Sequence, residues 1–158
     1  MVTPSNIKFV TGDMFDTDFD VRINTVNCVG VMGKGIALEF KKRYPDMFSD
    51  YRYNCLASLL HPGKLSMWSS FPDEIIVNFP TKGHWREKSK YEYIEAGLKE
   101  LRAYLERLGA VTVAVPALGC NNGGLEWKRV RAMIKKELSG LQAKISVFKP
   151  MEKRSEHT

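Results

Sequence analysis

An α/β fold, with helices on both faces of a mainly parallel or mixed sheet, is predicted by two features of this sequence. Short apolar runs rich in β-branched residues alternate with longer stretches whose apolar residues recur at helical spacing. Two of those runs also lead into helices through glycine-rich segments, the arrangement found where ligands bind at the carboxyl ends of parallel strands. The chain's 158 residues suit one domain, and an apolar share of 44% is ordinary for a chain with a substantial core.

Taken in order, the strand signals fall at Ile7–Val10, Val21–Asn27, Leu65–Ser69, Ile75–Phe79, Val111–Val115 and Ile145–Phe148. A helix is predicted over Ile36–Arg43, with Ile36, Ala37 and Phe40 on its apolar side and a stop before Pro45. A second short helix covers Met47–Cys55. The longest spans Lys90–Leu108, where Tyr91, Ile94, Leu98, Leu101, Leu105 and Leu108 keep helical spacing and Gly109 ends it. A last helix, Trp127–Leu138, closes at Gly140. Residues 1–150 thus make one domain, and the polar stretch Met151–Thr158 is expected to be a loose tail.

Composition excludes several classes. No run of about 20 apolar residues is present to span a membrane. Met1–Phe9 lacks the apolar stretch of a secretory signal, so a cytoplasmic location is the default expectation. Cys28, Cys55 and Cys120 are far apart, and neither they nor His61, His84 and His157 show ligand spacing; no disulfide framework, metal or other cofactor is expected. A monomer is the expected state.

The formal charge is +6, with basic clusters at Lys41–Arg43, Lys82–Lys90 and Lys128–Lys136. Such an excess attracts polyanions such as nucleic acid. It is equally the charge of solvated helix faces, so charge alone names no partner.

The two glycine-rich segments are Asn24–Ala37 and Pro116–Gly124. Neither is a Walker A motif or a G-x-G-x-x-G fingerprint. Glycine in such loops lets backbone N–H groups approach a phosphate, and a following helix N-terminus adds favourable partial charge. Two of them on one sheet edge suit a ligand with two phosphates. Either alone would be read as tight turns.

At these residues the chain resembles the macrodomain family, whose members bind ADP-ribose. Thr11-Gly12-Asp13-Met14 after the first strand is similar to the family's G-D-[IM] turn, and Asn24–Asn27 with Gly30–Ala37 to its first substrate loop. Pro116–Cys120 resembles its second, diphosphate-facing loop. The likeness runs from about Ile7 to Phe148 and implies a three-layer α/β/α sandwich around a mixed, mostly parallel sheet. Within the family, the segment Asn78-Phe79-Pro80-Thr81-Lys82-Gly83-His84-Trp85-Arg86 looks like the DarG-type branch. Those antitoxin macrodomains remove the ADP-ribose that a DNA ADP-ribosyltransferase toxin attaches to thymidine in single-stranded DNA.

That resemblance implies roles for particular residues. Asp13 would accept a hydrogen bond from the adenine amino group and the Met14 N–H would donate to a ring nitrogen. Asp13 could instead bond its own turn. Asn24 would orient the distal ribose, with Asn27 beside it or bracing the loop. Val31, Met32, Gly33, Gly35, Ile36, Ala37 and Thr81, with Ala117, Leu118, Gly119, Cys120, Asn121, Asn122 and Gly123, would line the remaining ligand.

Lys82 is the expected catalytic residue. Its amine would attack the opened distal ribose to form a Schiff base, or would protonate the leaving base, and partial desolvation favours either role. By spacing alone it would be read as a solvated surface lysine.

A human relative in this branch carries an aspartate in the second loop that assists the lysine, whereas Gly119–Glu126 has none. Glu126 is expected in the first helical turn, where its charge suits the dipole. His84, Trp85 and Arg86 suit stacking on a base and pairing with phosphate, or else pack the rim. Cys28 and Cys120 read as small apolar fillers rather than nucleophiles.

The activity so implied is hydrolysis of the bond between ADP-ribose and thymidine in DNA. A non-catalytic ADP-ribose-binding module is the reading from another class. A hydrolase of ADP-ribosylated protein or ADP-ribose 1″-phosphate is a third.

Overall fold

The computed structural model describes residues 5–70 and 74–150, so the expected tail, 151–158, lies outside the described residues. The elements are β1 (Ile7–Val10), β2 (Val21–Val26), α1 (Gly35–Arg43), α2 (Pro45–Leu56) and β3 (Ser66–Ser70). They continue with β4 (Glu74–Pro80), α3 (Tyr91–Leu108), β5 (Thr112–Val115), α4 (Trp127–Leu138) and β6 (Lys144–Phe148). Each strand and helix expected from the sequence is present.

The ends differ by a residue or two for local reasons. Helix α2 starts at Pro45 rather than Met47, since proline's fixed φ and missing N–H suit the first turn of a helix. Lys90 stands outside α3 in extended backbone, and Glu126 caps α4 rather than joining its first turn.

The strands form one sheet in the order β1-β6-β5-β2-β4-β3. All neighbours are parallel except β3, which runs antiparallel to β4 at the edge. Alternation along the strands sends their side chains to two cores. Val21, Ile23, Val77, Phe79, Val113, Val115, Ile145 and Val147 pack on α3 and α4 through Ile94, Leu98, Leu101, Leu105, Val130 and Ile134. On the opposite face, Val26, Ile76 and Ala114 meet Phe40 of α1 and Met47 and Tyr51 of α2. The result is the three-layer α/β/α sandwich with a mixed, mostly parallel sheet. Among the described residues, no helix is long and apolar enough to cross a membrane.

Candidate active site

Parallel pairing decides where the site lies. The turn after β1, the loop after β5, the loop after β2 and the segment after β4 all leave carboxyl ends of parallel strands, so they share one rim of the sheet. Along that rim the order is Asp13, then Gly119–Gly123, then Val31–Ala37, then Lys82. Neighbouring strands are about 4.8 Å apart, so the four steps from β1 to β4 span roughly 19 Å.

At the β1 end, Asp13 is exposed and its Oδ1 accepts the Phe15 N–H at 2.9 Å, while its backbone oxygen accepts the Asp16 N–H at 3.1 Å. The turn-building role is therefore present, and the carboxylate also borders a cavity of about 800 Å³. That cavity runs beside Val10, Phe19, Ser146 and Phe148, over β1 and β6, rather than between the two glycine loops. Met14 is buried, and Arg22 holds this turn from below. The Arg22 guanidinium donates to the Met14 carbonyl at 3.4 Å and the Thr17 carbonyl at 2.8 Å, and lies beside the rings of Phe15 and Phe19. Glu74 lies 3.9 Å from the same group.

The loop after β2 is braced by Asn27. Its amide donates to the Val31 carbonyl at 2.8 Å, and its Oδ1 accepts from the N–H groups of Val29 and Val31 and from the Tyr51 hydroxyl. Tyr51 is likewise engaged with the Asn27 carbonyl at 2.9 Å. Of the two roles open to Asn27, the side chain performs the bracing one.

Asn24, which the resemblance would set against the distal ribose, lies on the α1 and α2 side of the sheet. It is wholly buried beneath the loop, with its amide 3.1 Å from Asn78 Oδ1 and 3.7 Å from the Met32 sulfur, because even-numbered β2 positions face α1 and α2. Asn24 Oδ1 has no hydrogen-bond partner. Met32 is buried with it, whereas Val31, Gly33 and Gly35 are exposed and Ile36 and Ala37 half-buried.

In the loop after β5, Ala117 and Leu118 turn their side chains into the protein, leaving only backbone to meet a ligand. Asn121 and Asn122 are exposed, and Cys120 is half-buried. The two loops meet where Asn122 Nδ2 stands 3.4 Å from the position a Cβ would take on Gly35. A Cβ on Gly123 would collide with Ser89 Oγ and the Gly119 carbonyl, so this glycine is required by the protein's own packing as well as by any ligand. Ser89 is buried under this loop, its N–H on the Gly123 carbonyl at 3.0 Å and its hydroxyl unpartnered.

Lys82 follows β4 on a backbone tied to the first loop on both sides. The Thr81 N–H donates to the Val26 carbonyl at 3.0 Å, and the Cys28 N–H to the Gly83 carbonyl at 2.9 Å. Thr81 is buried, whereas Lys82 is partly open to solvent. Burial, and then the nearby Lys34 ammonium, hold the Lys82 amine below the usual lysine range. The thiols move the other way. Burial first, with Cys55 and Glu87 adding to it, pushes Cys28 up to about 12, and burial pushes Cys120 up to about 11. Both are protonated near neutrality and unsuited to nucleophilic attack.

Sequence reasoning passed over Arg22, Tyr51, Asn78, Ser89 and Lys34. Arg22 and Asn78 carried a signal, since each interrupts an apolar strand run (Val21-Arg22-Ile23, Val77-Asn78-Phe79) and a buried polar group requires partners. Tyr51, Ser89 and Lys34 carried none.

The chain is similar in sequence and fold to known proteins. The chain is 38% identical over 156 residues to the DNA ADP-ribosyl glycohydrolase of Thermus aquaticus, covering 96% of this chain and 43% of that protein. It thus spans less than half the length of that curated relative. The structure superposes on the macrodomain of Thermus aquaticus DarG with a TM-score of 0.85 and 39% identity, covering 91% of this chain and 98% of that one. It also matches Thermosipho africanus DarTG in complex with ADP-ribose, with a TM-score of 0.86 and 35% identity over 94% of this chain and 43% of that chain. The Macro domain family model matches residues 23–134, a span that holds both glycine loops and Lys82, and the chain belongs to that family.

Proposed function

We propose that this chain hydrolyses the N-glycosidic bond between ADP-ribose and a thymidine base in DNA, reversing a modification made by a DNA ADP-ribosyltransferase toxin. The observation that carries the reading is the order of segments on the rim. A cavity beside Asp13, two loops rich in backbone donors and a partly buried amine at Lys82 follow one another in the order that adenosine, diphosphate and distal ribose would require. The name of the Thermus aquaticus relative and the ADP-ribose bound to Thermosipho africanus DarTG support the same assignment.

In this reading the first loop and the Gly119–Gly123 loop hold the diphosphate, and the distal ribose lies over β2 and β4. The C1″–N bond breaks, water supplies a hydroxyl to C1″, and the base leaves with a proton. Lys82 serves either as nucleophile toward the opened sugar, forming a Schiff base that water releases, or as the proton donor to the base. A lowered pKa helps both: it raises the fraction of free amine in the first and the acidity of the ammonium in the second.

The test is release of ADP-ribose from an ADP-ribosylated thymidine oligonucleotide by wild type and by Lys82→Ala. Release by wild type and its loss in the variant, with ADP-ribose affinity retained, is the expected result. If wild type binds ADP-ribose and releases none, the chain is a reader of the modification. Release from ADP-ribosylated protein alone would move the activity to another substrate.

A further inference from the structure

We infer that Trp85 and Arg86 form a stacking platform for the nucleotide beside the modified base, with Lys88 and Arg129 carrying the backbone of a single DNA strand. This rests on the reading of the site as a DNA ADP-ribosyl glycohydrolase and adds the surface that receives the strand. Trp85 is three residues from Lys82 and 45% exposed. A half-exposed indole offers a ring on which a base can stack.

The ring is not on a loose loop. Its segment is fastened by Cys28 N–H to the Gly83 carbonyl at 2.9 Å, Glu87 N–H to the His84 carbonyl at 3.0 Å, and Ser89 N–H to the Gly123 carbonyl at 3.0 Å. The Arg86 N–H also donates to His84 Nδ1 at 3.1 Å. Both substrate loops therefore anchor the backbone of the segment that carries this ring, three residues past Lys82.

Charge surrounds it. The Arg86 guanidinium lies 4.6 Å from the Trp85 ring centre and the His84 ring 5.2 Å from it, so a cation and a second ring adjoin the indole. Lys88 runs beside Gly124 of the second loop, and Arg129 sits 3.7 Å over Tyr91. Between Lys82 and Lys90 the chain carries Lys82, Arg86, Lys88 and Lys90 against Glu87 alone. An exposed aromatic with flanking cations is the combination that binds single strands with little regard to sequence.

The experiment measures affinity for an ADP-ribosylated thymidine oligonucleotide in a Lys82→Ala background, which prevents turnover, and for free ADP-ribose beside it. Adding Trp85→Ala should weaken oligonucleotide binding by about fivefold to a hundredfold, the effect of losing one base–aromatic stack. ADP-ribose affinity should stay unchanged, and Trp85→Phe should recover most of the loss. Lys88→Ala and Arg129→Ala should each reduce the slope of log affinity against log salt by about 0.7.

Equal oligonucleotide affinity with and without the indole would overturn the platform and leave the ring to another partner, such as a protein. A parallel fall in ADP-ribose affinity would overturn it too, making Trp85 a prop of the sugar site. A wild-type protein that releases no ADP-ribose from the oligonucleotide would instead sink the glycohydrolase reading, a result distinguishable from both.

Discussion

Asn24 donates its side-chain amide to Asn78 Oδ1 across 3.1 Å inside the core, at the one register position where β2 and β4 set two asparagines side by side. Asn78 in turn points its own amide at the Met47 sulfur, 3.5 Å away, and Asn24 Oδ1 is left without a partner. A polar pair buried between methionines holds the two strands in register directly beneath the first substrate loop.

That pairing makes a measurable energetic claim. In a double-mutant cycle of Asn24→Ala and Asn78→Ala, read by denaturant unfolding, the coupling should be about 1 kcal/mol. Each single variant should be destabilised by more than the pair's coupling, since each leaves the surviving asparagine buried and unsatisfied. A coupling near zero would mean that the two amides are independently solvated.

Lys34 should act on Lys82 through charge. Removing its ammonium in Lys34→Ala relieves a repulsion that disfavours protonated Lys82, so the Lys82 pKa rises toward the ordinary lysine value. The limb of the pH–kcat profile that belongs to Lys82 then moves to higher pH, whether the amine serves as nucleophile or as proton donor. An unmoved limb, with only KM altered, would assign Lys34 to substrate binding alone.

Gly123→Ala tests how tightly the second loop is packed. The new methyl would run into Ser89 Oγ and the Gly119 carbonyl, and overpacking of this kind costs about 1–3 kcal/mol. Gly123 is buried against Ser89, so the strain should lower the unfolding midpoint by several degrees, and the displaced loop should bind ADP-ribose about tenfold or more weakly. Calorimetric titration and thermal melting on the same sample separate the two effects.

The cysteines should prove dispensable. With Cys28 pushed up to about 12 and Cys120 to about 11, almost no thiolate exists near neutral pH. Alkylation by iodoacetamide should be slow at neutral pH and accelerate as pH rises, and Cys28→Ala and Cys120→Ala should keep the greater part of glycohydrolase activity. Loss of all activity in either variant, with ADP-ribose affinity retained, would restore a cysteine mechanism.

The sequence by itself determined the alternation of strands and helices, the two glycine loops and the family likeness that singled out Lys82. The first two follow from contacts within a turn or two of chain, where periodicity and glycine chemistry speak directly, whereas Lys82 stood out through the resemblance alone. Only the tertiary structure decided that Asn24 faces the core and pairs with a residue 54 positions away, that Arg22 clamps the Asp13 turn, and that Ser89 sits under Gly123. It also decided that the segment carrying the exposed Trp85 is tied by backbone hydrogen bonds to both glycine loops. Such relationships depend on strand order and register, which are set by how two cores fill on opposite faces of the sheet, and no local stretch of residues carries that information.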